Sequence, residues 1–147
     1  MTVQSESAAD PELEFAESIN VLLIEDNVVD AKWVERGLCQ PDSEKFVVHQ
    51  VDKIDKVSDF LHGNAVDVVV LDLNLPDSNG WHTVVQIADA RPELPIVVLS
   101  GHDDVETIRE ALLAGAQTYQ VKSVGTQSNL AERIDFAIRR KAREPEL

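Results

Sequence analysis

Two hydrophobic periods alternate along the chain. Short β-branched runs occupy 20–25 (NVLLIE), 46–51 (FVVHQV), 66–71 (VDVVVL), 95–100 (PIVVLS) and 117–121 (QTYQV). After each run, apolar residues recur at helical spacing: Val34 and Leu38; Ile54, Val57 and Leu61; Val84, Val85 and Ile87; Val105, Ile108, Leu112 and Leu113; Leu130, Ile134 and Ile138. Asn27, Asp103 and Thr126 stand where N-caps are expected, and Gly63, Gly115 and the Arg91-Pro92 pair where helices should stop. Five strand–helix repeats predict an α/β fold, (βα)5, with a parallel sheet covered by helices on both faces. Runs one, three and four are nearly all apolar and suit the centre of the sheet, while runs two and five carry more polar residues and suit its edges. The expected order is 2-1-3-4-5, with its switch point between strands one and three.

Ligands of such sheets gather at the carboxyl ends of the strands near that switch point. Strand one ends in Glu25-Asp26, strand three in Asp72, strand four in Ser100-Gly101 and strand five in Lys122. Alone, an aspartate closing a strand is most often a cap, a serine there structural and a lysine a solvated charge. Together they differ. Strands one and three are expected as neighbours about 4.8 Å apart, which crowds three carboxylates on one rim and calls for a cation or a raised pKa. Hard oxygen ligands without His or Cys spacing point to Mg²⁺, with Mn²⁺ the alternative. A hydroxyl and an ammonium on the other side of Asp72 suit two further oxygens of a phosphoryl group, since phosphoryl transfer depends mainly on positioning and charge neutralisation. An aspartate between a divalent ion and a lysine is equipped as a nucleophile. Asp72 therefore reads as a phosphoacceptor.

Charge narrows the partners. Thirteen basic residues against 27 acidic ones leave a net charge of −14, a surface that repels phosphate backbones, so direct nucleic-acid binding is not expected. Five acids (Glu6, Asp10, Glu12, Glu14 and Glu17) fall in 1–18 with no basic residue, and this stretch reads as an acidic flexible tail. Residues 19–143 form the expected single domain and 144–147 a C-terminal end. No apolar run reaches the roughly 18 residues of a membrane span. The start of the chain has neither the basic nor the apolar region of a signal peptide, so a cytoplasmic location is expected. The single Cys39 excludes an intrachain disulfide and is expected to pack at a helix end.

The ordered set LLIEDN, LDLNLPDSNG, VVLSG and GAQTYQVK resembles the CheY-like response-regulator receiver domain of two-component signalling over about 19–141. Each piece alone is weak, but the set in this order is specific. The resemblance implies a flavodoxin-like three-layer sandwich. It places Asp72 as phosphoacceptor and puts Asp26, Asp72 and the main-chain carbonyl of Asn74 on Mg²⁺, with Glu25 acting through water. It pairs Lys122 with Asp72 before phosphorylation and with the phosphoryl group after it, and makes Ser100 and Tyr119 the switch pair. The family usually has a proline after this lysine, in a cis peptide. Here Ser123 follows, and a trans bond is expected because cis costs about 2.5–4 kcal/mol before a non-proline residue.

The resemblance also implies the partners: a histidine kinase or histidine phosphotransfer protein upstream and a protein effector downstream. The output surface would be formed by the fourth helix, fifth strand and fifth helix, which could also form a homodimer. Phe136 is expected to point away from the inward stripe Leu130, Ile134, Ala137 and Ile138, and Arg139, Arg140, Lys141 and Arg143 form a basic helix end. His49, His62 and His82 show no ligand spacing. The chain is not expected to be an enzyme with a separate substrate. Nothing after Lys122 is long enough for an effector domain, and Pro145 argues mildly for a true end. The competing reading is a receiver cut from a longer regulator with cyclase, kinase or phosphatase output; a non-phosphorylated pseudo-receiver is the other. An aspartyl-phosphate phosphatase would want a second acid where Asn74 stands. A flavodoxin-type cofactor binder would want a phosphate loop after strand one.

Overall fold

The computed structural model describes residues 18–39, 45–75, 78–101, 105–122 and 129–144, with Asn74, Ser78 and Asn79 described in their main chain only. The expectations for residues 1–17 of the acidic tail, the caps Asp103 and Thr126 and the Lys122-Ser123 peptide lie outside these residues.

Five parallel strands form the sheet: β1 (Ile19–Ile24), β2 (Phe46–Val51), β3 (Val68–Asp72), β4 (Ile96–Ser100) and β5 (Thr118–Val121), in the order β2-β1-β3-β4-β5. The helices are α1 (Val28–Leu38), α2 (Val57–Gly63, entered by a 3₁₀ turn at Ile54–Lys56), α3 (Trp81–Ala90), α4 (Val105–Ala114) and α5 (Leu130–Ala142). β3 and β4 are buried at every position, whereas β2 and β5 alternate with exposed or half-exposed residues, as edge strands do.

The pleat sorts the core into two halves. Leu22, Ile24, Val69, Leu71, Ile96 and Val98 face α2, α3 and α4. Val21, Leu23, Val68, Val70, Val97 and Leu99 face α1 and α5, where Val34, Leu38, Leu130, Ile134 and Ala137 meet them. Successive strand residues point to opposite faces, so an all-apolar strand feeds both halves.

Two expectations are corrected. Val105, Leu112 and Leu113 do not form the inward stripe of α4: Val105 and Leu113 are 72% and 78% exposed. Ile108 and Ala111 are the buried pair. Cys39 is the exposed C-cap of α1 and not a packed residue. Val85 and Ile138 are half-buried, and Phe136 points outward as expected, at 51% exposure.

Register places the strand ends. Ile24 pairs with Leu71, Asp72 with Leu99 and Ser100 with Val121, so Glu25, Asp72, Ser100 and Lys122 emerge on one rim. The loop after Asp72 is stitched down. Asn74–Leu75 pairs antiparallel with Ser78–Asn79, and the Gly80 N–H donates to the Leu73 carbonyl at 2.7 Å. Gly80 closes that turn at φ 63°, ψ −154°, a conformation open essentially only to glycine.

Candidate functional site

The acidic rim begins where β1 runs out. Glu25 still donates its N–H to the Val51 carbonyl at 2.9 Å, and its own carbonyl accepts from Gln50 Nε2 at 2.8 Å. These bonds hold the residue in the sheet, and its side chain is fully buried. Asp26 next to it is exposed. Asp72, at the end of β3, is buried, and one carboxylate oxygen from each of Glu25, Asp26 and Asp72 lies within 4.8 Å of the others. The sequence expectation of a three-carboxylate cluster is met by this geometry.

Asn27 then starts α1. Its side-chain oxygen accepts the Asp30 N–H at 3.0 Å, and its own N–H donates to Glu25 Oε2 at 3.3 Å. The cap therefore joins the helix start to the acidic cluster. From the opposite side, the Lys122 N–H donates to the Ser100 carbonyl at 2.8 Å, which extends the β4–β5 ladder by one residue and aims the lysine over the rim.

The ammonium pairs with Asp72, as the resemblance implies, and with two further acids. Lys122 Nζ donates to Asp30 Oδ2 at 2.7 Å and stands 3.7 Å from Asp72 Oδ1 and 3.6 Å from Glu25 Oε1. It faces Asp72 as an ion pair, but its hydrogen bond goes to Asp30, a residue that sequence reasoning missed. The one signal for Asp30 was an acid in the first turn of a helix, which is ordinary for its favourable dipole interaction. Burial would by itself depress the Lys122 ammonium, but Asp30, Asp72 and Glu25 outweigh it and raise its pKa.

Three carboxylates thus surround one ammonium. The cost falls on Glu25: burial first, then its contact with Asp72, pushes its carboxyl up to about 8, against the pull of Lys122 and the Asn27 N–H. Its Oε1 has no hydrogen-bond partner among the described residues. A buried oxygen without a donor, beside two further carboxylates of which one is open to solvent, is a donor set that suits a hard divalent cation.

Ser100 is buried at the end of β4, at the same rim as Asp72. Tyr119 is half-buried in β5, with the Arg133 guanidinium 5.8 Å from its ring centre. Beside it a cavity of about 480 Å³ is lined by Val105, Ile108, Arg109, Leu112, Leu113 and Tyr119. The main chain of Asn74 lies in the two-residue ladder opposite Asn79. None of the described histidines joins the acidic cluster: His82 stacks on Trp81 at 3.9 Å and His49 tilts against Phe60 at 5.4 Å.

The family model for the response regulator receiver domain matches residues 21–135, which include the acidic rim and Lys122. This chain belongs to that family. The receiver is 33% identical over 122 residues to the cell cycle transcriptional regulator CtrA of Caulobacter vibrioides, a match covering 83% of this chain and 51% of that protein. The cell cycle response regulator CtrA of Brucella abortus matches at the same identity and coverage. The chain spans about half the length of these curated relatives. Among solved structures, the BeF₃-activated DrrB receiver domain superposes with a TM-score of 0.67 at 26% identity, covering 82% of this chain and 97% of that one. A CheY-like receiver from Methanospirillum hungatei gives a TM-score of 0.72 at 19% identity, covering 88% and 100%, and shows the shared fold. Receivers carry Mg²⁺ in an acidic pocket, and Glu25, Asp26 and Asp72 form such a pocket here. No helix among the described residues is long and apolar enough to cross a membrane.

Proposed function

We propose that this receiver takes a phosphoryl group on Asp72 from a histidine kinase or histidine phosphotransfer protein in the cytoplasm and passes the signal to a protein effector. The observation that carries the reading is Asp72 itself, buried between the acidic cluster and the Lys122 ammonium at 3.7 Å.

In the step, an Asp72 carboxylate oxygen bonds to phosphorus while the phosphorus–nitrogen bond of the donor phosphohistidine breaks, and the electron pair leaves with the imidazole. Mg²⁺, when bound, would offset the negative charge of the acids and of the phosphoryl oxygens. Asp26, Asp72 and the carbonyl of Asn74 would hold it, with Glu25 reaching it through water. Lys122 supplies N–H donors to a second phosphoryl oxygen, and the Ser100 hydroxyl donates to a third. The chain has no separate substrate in this reading: it assists the gain and loss of its own phosphoryl group.

Phosphorylation adds about −1.5 to −2 of charge. Recruitment of Ser100 would draw Tyr119 inward and alter the surface of α4, β5 and α5. The exposed Val105 and Leu113 and the cavity beside Tyr119 support that surface as the place where an effector, or a second copy, docks.

The test is intact-protein mass after incubation with Mg²⁺ and a small acyl-phosphate donor. One added phosphoryl group is expected on the wild type and none on Asp72→Asn or without Mg²⁺. A wild type that stays unmodified and binds no Mg²⁺ would instead make this a binding module. A second reading, the receiver as one module of a longer regulator, is favoured by the half-length match to CtrA. The size of the endogenous protein on an immunoblot decides it: a band near 16.3 kDa supports a stand-alone receiver.

A further inference from the structure

Lys122 gives its short bond to a carboxylate that has no part in the step above. A charge-assisted N–H···O bond is about 2.7–2.9 Å long, so the 2.7 Å contact with Asp30 is one, while those at 3.6 and 3.7 Å to Glu25 and Asp72 are ion pairs without it. Asp30 is well anchored. Its main chain is tied to Asn27 at 3.0 Å, and Asn27 is tied to Glu25 at 3.3 Å, so the first turn of α1 is held against the acidic cluster. The two side chains differ in access to water: Lys122 is 11% exposed and Asp30 35%. An ammonium so far out of water draws on the carboxylates around it for nearly all its partners, and the one in bonding distance is Asp30.

Building on the reading of Asp72 as phosphoacceptor, we propose that Asp30 is a positioning residue that competes with the incoming phosphoryl group for the Lys122 ammonium. A phosphoryl oxygen on Asp72 would draw on the same ammonium that lies 2.7 Å from Asp30 and 3.7 Å from Asp72, so the two anions share one donor group. Asp30 also adds a negative charge on the side from which the lysine must be drawn. The site therefore opens to a phosphoryl group less readily than the same site without Asp30. Lys122 exchanges one partner for another when Asp72 is modified, and the start of α1 registers the change. The exposed Val28 and Val29 directly precede Asp30 on that turn.

The experiment measures the initial phosphorylation rate against donor concentration, with Mg²⁺ and a small acyl phosphate, by intact mass. Asp30→Asn is expected to lower the half-saturating donor concentration by about three- to fivefold, in keeping with a partly exposed pair. Asp30→Glu, which keeps the carboxylate, should restore wild-type behaviour. In a Lys122→Ala background the same Asp30→Asn change should have no effect. In metal-free protein, the Lys122 ammonium resonance should be protected from exchange in the wild type and lost in Asp30→Asn. The cap uses the main chain of residue 30, so the variants keep it, and melting temperatures near wild type check this. An unchanged or higher half-saturation in Asp30→Asn overturns the proposal, the higher value marking Asp30 as a support that holds the lysine ready. So does an equal gain when Lys122 is absent, because Asp30 would then act through its charge alone. A wild type that takes no phosphoryl group overturns the Asp72 reading itself, which sets that failure apart from the others.

Discussion

Burial makes charge on Glu25 costly. The residue is fully buried, and its carboxyl is pushed up from 4.5 to about 8, chiefly by desolvation. Between those two values the folded chain keeps a proton that the unfolded chain has lost, so the contribution of Glu25 to stability is fully present below about pH 4.5 and is lost as pH rises toward 8. In metal-free buffer, the melting temperature of the wild type should fall by several degrees between pH 5 and 8 relative to Glu25→Gln. Parallel pH profiles for the two proteins would show that Glu25 is not the cause. The position of this carboxylate was legible in the chain, because an acid directly following an apolar strand lands on the sheet rim. Asp30 was not. Its role depends on where a lysine 92 positions away places its Nζ, and nothing in the local pattern of α1 marks that.

Helix α5 is held by few residues. Ile134 lies at its centre with no exposed surface, in the core half that also holds Val68, Val70, Val97 and Leu99. Ile134→Ala should cost about 2–4 kcal/mol in urea unfolding, whereas Phe136→Ala should stay within about 0.5 kcal/mol. Equal losses would mean that the outward residue is packed after all. The order of strands and the inward stripe of α5 could be read from sequence because their apolar runs are long and differ clearly in polarity. The stripe of α4 could not. That helix meets α3 through small residues: Ala111 is buried, Ala88 and Ala114 pack against the same core half, and a side chain on Gly115 would reach within 3.7 Å of Ala88 Cβ. Pattern reading weights large apolar residues, so it turned Leu112 and Leu113 inward. The close helix contact instead favours alanine and sends the leucines out to the surface beside Tyr119.

The molecule carries a net charge of −14, and any cation would be drawn to it weakly. A divalent ion held by the acidic rim would behave differently: binding the folded chain alone, it would stabilise it by about 2.7 kcal/mol at a hundred times its dissociation constant. At constant ionic strength, replacing NaCl with MgCl₂ should raise the melting temperature of the wild type, and Asp26→Asn should remove most of the gain. An equal gain in the variant would assign the effect to general screening. The parallel topology carries a last consequence, for synthesis. Each strand that reaches the rim is joined to the next by a whole helix, and the lysine arrives on the final strand. A nascent chain, which emerges N-terminus first, holds Glu25, Asp26 and Asp72 before the cation that offsets them exists. Truncated products ending before β5 inherit that uncompensated cluster, so the rim comes into balance only with the arrival of Lys122.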